Sequence, residues 1–154
     1  VQVESEYKKV YYGQLRSLLV KKIEKMKKSG RGNYEFVFTG HSIGGSLATL
    51  AAFDLTHTKV LSRAENHTRV YTFGGLRVGD SRLVTLVNTA VTLFRVIRSD
   101  DYIVRIPNCY YSISGSDWRC FTQSVINRYI TVPTSPLFFY LQNYRYSQFY
   151  TIPV

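Results

Sequence analysis

The residues best suited to chemistry lie together in Thr39-Gly40-His41-Ser42-Ile43-Gly44-Gly45. Gly40 to Gly44 fits the pattern G-x-S-x-G, a spacing that suits a sharp turn from a strand into a helix with the central serine strained and exposed. Gly40 and Gly44 are both expected to be required, because a side chain at either would clash with the neighbouring strand or helix. The Ser42 hydroxyl would stand above the strand's end, and the helix would turn its positive N-terminus toward a developing oxyanion. The predicted chemistry is attack by Ser42 on an acyl carbon, with the backbone N–H of Ile43 as one oxyanion donor. The competing reading is a glycine-rich turn in which Ser42 only caps the helix.

A serine nucleophile needs a base and an acid, in the chain order serine, acid, histidine. Asp100 and Asp101 follow a β-rich run at 92–98, where such an acid belongs, although an Asp pair there is equally expected as a turn former. The chain has three histidines, His41, His57 and His67. His41 lies within the turn, its side chain expected to point away from that of Ser42. His57 falls far along the following helix and His67 in the loop after it. None has the geometry expected of a general base. Without one the serine hydroxyl stays protonated and is a poor nucleophile.

The elements that must position these residues are legible as alternating helices and strands. Residues 3–28 read as a helix, with an apolar stripe through Val10, Gln14, Leu15, Leu18, Leu19, Lys22, Ile23 and Met26. Gly30 and its neighbours end it. Residues 34–39 and 69–73 read as strands, 47–61 as an alanine- and leucine-rich helix, and Asp80-Ser81 as a helix start. The order predicts a mostly parallel α/β sheet flanked by helices. After Pro107, Tyr110 to Trp118 suggests a hairpin. Residues 130–154 are rich in proline and aromatics and show no clear period.

With 154 residues, 45% apolar and 15% aromatic, the chain suits one folded domain. No apolar run is long enough to cross a bilayer. The net charge is +10, and much of the excess sits in residues 21–31: Lys21, Lys22, Lys25, Lys27, Lys28 and Arg31. A solvated helix end explains this run, and lysines there also suit the helix dipole. An anionic membrane surface is the alternative partner. No nucleic-acid motif is present, so nucleic acid is not expected. Cys109 and Cys120 form neither a CxxC pair nor a zinc pattern, so no metal is expected; a disulfide between them is open. Asn66-His67-Thr68 is a glycosylation sequon. The sequon and the cysteine pair together favour a secreted protein.

These segments resemble the fungal-type, class 3 lipase family of the α/β-hydrolase superfamily. Residues 39–48 are similar to that family's T-G-H-S-L-G-G-A-L-A. Residues 71–80 are similar to its T-F-G-x-P-R-V-G-D, with Leu76 where proline is usual. Residues 95–107 are similar to its R-V-x-x-x-x-D-x-V-P-x-L-P block. The resemblance implies Ser42 as nucleophile, Asp101 rather than Asp100 as triad acid, lipid esters such as acylglycerols as substrates, and no cofactor. Family members carry an earlier strand, an oxyanion loop and usually a lid, and residues 1–28 resemble the helix that follows these. The expectation is therefore a single partial domain over 1–154 lacking the N-terminal strands. The family's late histidine lies in a segment of the form D-H-x-x-Y-F. Its best counterpart here is Asn143-Tyr144-Arg145-Tyr146, which puts Tyr144 in the histidine's place. This leaves a second expectation: a catalytically inactive relative that binds lipid or a partner without turnover. The aromatic segment with Phe138, Phe139, Tyr140 and Phe149 is expected to pack on the sheet or to line an acyl site.

Overall fold

In the computed structural model the described residues are 3, 5–30, 34–61, 68–98, 100–106, 110–111, 118–119, 128–132, 139–143 and 149–152. The chain opens with a helical rod made of α1 (Ser5–Val10), a π turn (Tyr11–Leu15) and α2 (Arg16–Lys28). β1 (Phe36–His41), α3 (Ile43–His57), β2 (Thr68–Phe73), α4 (Ser81–Ala90) and β3 (Thr92–Arg98) follow. β1, β2 and β3 are neighbours and parallel. Beyond them come β4 (Tyr110–Tyr111), β5 (Trp118–Arg119), β6 (Arg128–Val132), β7 (Phe139–Asn143) and β8 (Phe149–Ile152). The main sheet runs β1-β2-β3-β6-β7-β8, with β6 parallel to β3 and β7 and β8 antiparallel. The expected parallel α/β sheet is present. The expected hairpin is also present as the antiparallel β4–β5 pair. β6 to β8 fall in the segment where the sequence has no clear period. No described helix is long and apolar enough to cross a membrane.

The strands alternate, as a half-buried pleat must. Phe38, Val70 and Leu93 face the helices and pack with Ala48, Ala52, Leu83 and Val87. Leu50 and Ala51, on another side of α3, pack against Tyr7 and Tyr11 of the rod. Wedged between rod, sheet and α4, α3 is buried almost all round, which explains its small residues. It begins four residues earlier than its alanine-rich pattern implies, at Ile43 instead of Leu47, because the sharp turn at Ser42 feeds directly into it.

The rod differs from its expected stripe. Val10 and Leu18 are exposed, Leu18 at 63%. The inward positions are Tyr7, Tyr11, Leu15, Leu19 and Ile23, a strict four-residue repeat. In an α-helix that repeat drifts about 40° per step. The π turn widens one turn and keeps the repeat facing α3.

At the centre of this contact Asp54 is 6% exposed. Its carboxylate accepts from the Tyr11 hydroxyl at 2.8 Å, the Tyr12 hydroxyl at 3.2 Å and Arg16 Nε at 2.7 Å. Burial, and then the adjacent Asp54, push the Tyr11 phenol well above its ordinary 10.0, and Tyr12 moves the same way. Above pH 10 the unfolded chain therefore loses phenolic protons that the folded chain keeps. Stability should be insensitive to these groups below about pH 10 and fall above it, by at most about 1.4 kcal/mol per pH unit per proton. Urea unfolding at stepped pH should show this slope, and Tyr11→Phe should flatten it. Equal slopes in the two proteins would refute the assignment.

Candidate active site

The elbow forms where β1 ends at His41 and α3 begins at Ile43. Ser42 between them has φ 53° and ψ −126°. Lys59 is the other described non-glycine residue at positive φ. Such a conformation costs roughly 1–3 kcal/mol and persists only where the surroundings impose it. They do so here. The Ser42 N–H donates to the Phe73 carbonyl at 3.0 Å, and the Ser42 carbonyl accepts from the Gly45 N–H at 3.0 Å. Ser42 is the N-cap residue of α3 by position, but its hydroxyl makes no capping bond to the helix. The Ile43 N–H stands at the helix N-terminus, where backbone donors have no intrahelical partner.

The glycine requirement is only partly as expected. A Cβ on Gly40 would lie 2.3 Å from the Gly44 carbonyl carbon and oxygen. A Cβ on Gly44 would meet nothing within 4 Å outside its own helix. The second sterically demanded glycine is Gly45, whose Cβ would sit 3.0 Å from the Gly40 carbonyl oxygen and 3.1 Å from Thr72 Cβ. Helix direction explains this: Gly45 faces the sheet, whereas Gly44 faces solvent.

Asp100 and Asp101 diverge. Asp100 is exposed and forms a two-pronged ion pair with Arg98, at 3.0 and 2.8 Å, which holds its carboxyl below the usual range. Asp101 is half-buried, and its Oδ1 accepts from the Ile103 N–H at 2.9 Å. Its Oδ2 lies 3.6 Å from where a Gly74 Cβ would be.

Around them the loops are laced by hydrogen bonds from Arg95, Ser46 and Arg77. Arg95 is 3% exposed and donates to the carbonyls of Gly75 and Val104. The Ser46 hydroxyl donates to the Leu76 carbonyl at 3.1 Å, and the Arg77 N–H to the Ile106 carbonyl at 3.0 Å. The elbow helix, the loop after β2 and the turn after Asp101 are thus tied to one another. One signal was available for Arg95: it is a charged residue at an inward position of a strand, two after Leu93. Asp80 caps α4 by accepting from the Leu83 N–H at 2.8 Å, which gives the aspartate of the 71–80 block a structural task.

His41 extends β1 toward the same place, with Nε2 3.7 Å from the Gly74 Cβ position. His57 is exposed at the other end of α3, its ring 5.3 Å from Phe53. His67, Tyr144, Asn66, Cys109, Cys120 and Phe138 lie outside the described residues, and of Phe139, Tyr140 and Phe149 only the strand is described. Ile43, Phe73, Tyr102 and Ile103 are large apolar side chains left exposed, and each is within two residues of Ser42, Gly74 or Asp101. The basic run lies elsewhere. Lys27 Nζ donates to the Val60 carbonyl, and Ile23 packs with Leu55 and Phe36. That is the end of the sheet where β1 begins, about 20 Å along α3 from Ser42.

The family described as Lipase (class 3) matches residues 1–111. The chain belongs to the class 3 lipase family. Among similar proteins, the phospholipase A(1) DAD1 of Arabidopsis thaliana, named as chloroplastic, is 32% identical over 133 residues, which cover 83% of this chain and 29% of that protein. Lipase ZK262.3 of Caenorhabditis elegans is 36% identical over 91 residues, covering 55% of this chain and 25% of the relative. Among solved structures, a mutant form of MDLA from Penicillium cyclopium superposes with a TM-score of 0.64 at 22% identity, over 98% of this chain and 48% of that one. That likeness shows the α/β-hydrolase fold. The chain thus spans less than a third of the length of these two curated relatives.

Proposed function

We propose that this domain carries the nucleophile and acid of a serine hydrolase that cleaves lipid esters. Ser42 is the nucleophile, Asp101 the acid that orients the base, and the Ile43 N–H one oxyanion donor. The observation that carries this is Ser42 at φ 53° with a hydroxyl unused by the helix. A structural serine gains nothing from that strain, whereas an attacking one gains exposure at a helix N-terminus. In the reaction Ser42 Oγ would bond to the ester carbonyl carbon, the bond from that carbon to the alcohol oxygen would break, and the serine proton would pass to the leaving alcohol through a histidine of the kind the family resemblance implies, which no described residue supplies. Water then releases the acid and regenerates the serine. The apolar rim of Ile43, Phe73, Tyr102 and Ile103 supports a lipid ester over a small soluble one. The anionic-membrane reading of residues 21–31 fits less well, because lipid held there would keep Ser42 at the far end of the sheet.

The second reading, an inactive relative that binds lipid without turnover, is favoured by Tyr144 at the histidine's aligned place. A phenol with an ordinary pKa of about 10 is a poor base at neutral pH. A fluorophosphonate probe separates the two. Covalent labelling of the wild-type protein, absent in Ser42→Ala, is the result expected of the hydrolase. No labelling, with retained binding to acylglycerol-containing vesicles, would establish the binding protein instead.

A further inference from the structure

Three strand ends meet beside the elbow: β1 with His41, β2 with Gly74 just beyond it, and β3 with Asp101 in the turn that follows. Gly74 is anchored by its N–H to the Val96 carbonyl at 2.8 Å and has φ +56°. It leaves an empty space where a side chain would stand. That space is bounded by Asp101 Oδ2 at 3.6 Å and by His41 Nε2 at 3.7 Å, measured from the position of the missing Cβ. Asp101 Oδ1 is satisfied by the Ile103 N–H at 2.9 Å. Oδ2 has no hydrogen-bond partner among the described residues, and neither does the His41 ring. The carboxylate of half-buried Asp101 and the imidazole of exposed His41 therefore flank one gap at the end of the sheet that holds Ser42.

We propose that His41 is a positioning residue: its Nε2–H hydrogen-bonds Asp101 Oδ2 across the gap left by Gly74, directly or through one water. The proposal rests on the reading of Asp101 as the triad acid. One backbone bond leaves the carboxylate free to swing about its side-chain torsions. A second, charge-assisted donor on the other oxygen fixes it. This gives the position before the nucleophile a task that its outward direction from the elbow had hidden. The backbone turns at Ser42, so the serine and His41 side chains leave on different sides, yet β2 ends in a residue with no side chain and the imidazole passes over it.

The test has two arms, both in the intact protein. The first is the ¹H–¹⁵N spectrum of the imidazoles, which does not depend on activity. An Nε2–H of His41 shifted downfield is expected in the wild type and should be lost or displaced in Asp101→Asn. A His41 signal indifferent to Asp101→Asn would overturn the proposal. The second arm is the rate of fluorophosphonate labelling of Ser42. His41→Phe should slow it about tenfold, the equivalent of one charge-assisted hydrogen bond, while His41→Gln, which keeps a donor, should recover most of the rate. Equal rates in His41→Phe and the wild type, or equal losses in His41→Phe and His41→Gln, would refute the positioning role. If the wild type does not label at all, the hydrolase reading fails and the spectrum still decides whether His41 and Asp101 are paired.

Discussion

Replacing Gly40 by alanine is expected to destabilise the domain by roughly 3 kcal/mol or more, the upper end of what overpacking costs. The added methyl would lie 2.3 Å from the Gly44 carbonyl carbon and oxygen and 2.6 Å from the Gly45 nitrogen. These are backbone atoms in the first turn of α3, so no rotamer change relieves the overlap. The helix would have to lift off the strand. Gly45 would then lose its seat against Thr72 and Gly75, and Ser46 its bond to the Leu76 carbonyl. The melting temperature should fall by about 10 °C. Gly44→Ala is the matched control. It is the same substitution in the same motif, but its Cβ enters open space, so thermal unfolding should move by no more than a degree or two. A similar loss in both variants would refute the contact between β1 and α3 as the cause, because alanine is the better helix former and propensity alone would stabilise Gly44→Ala.

Asp54→Ala should cost about 3 kcal/mol in urea unfolding. Removing one side of a buried ion pair typically costs about 3–5 kcal/mol. The lower end applies because the Arg16 side chain is 32% exposed and can rehydrate. The Tyr11 hydroxyl has no such escape: its residue is 0% exposed and Asp54 is its acceptor at 2.8 Å. An orphaned buried hydroxyl accounts for about 1–3 kcal/mol of the loss. Asp54→Asn keeps an acceptor for Tyr11 and gives up the charge opposite Arg16, so about half the effect is expected. The two residues share one network, and a Tyr11→Phe/Asp54→Ala double variant should therefore lose less than the two single losses added together. Strict additivity would show that the contacts at Asp54 are independent. Limited proteolysis of Asp54→Ala should release the 5–28 rod first, because this carboxylate joins it to the elbow helix.

Both residues show how far local pattern reaches. Gly40 was legible because its constraint spans five residues, and G-x-S-x-G encodes a turn that any folded copy must make. Asp54 was not legible. It is an acidic residue in a helix pattern, and its partners Tyr11, Tyr12 and Arg16 lie 38–43 positions away. The inward stripe of the rod is not legible for a related reason. Periodicity assumes a regular α-helix, and the π turn at Tyr11–Leu15 changes the phase halfway along. β6 to β8 were missed because strands of four or five residues among prolines carry little pattern of their own. What makes them strands is pairing with β3 and with one another.

The sequence by itself determined the alternation of β1, α3, β2, α4 and β3, the position of the elbow and the family, because those features are written in hydrophobic period and short motifs. Only the tertiary structure decided that Gly45, and not Gly44, is the glycine the sheet requires. Only it turned Asp100 outward to Arg98 and Asp101 inward, and brought His41 and Asp101 to one gap at Gly74. The contacts of Gly45 with Thr72 and the approach of His41 to Asp101 join chain segments tens of residues apart. Their geometry depends on how three parallel strands end beside one another, which no local spacing encodes.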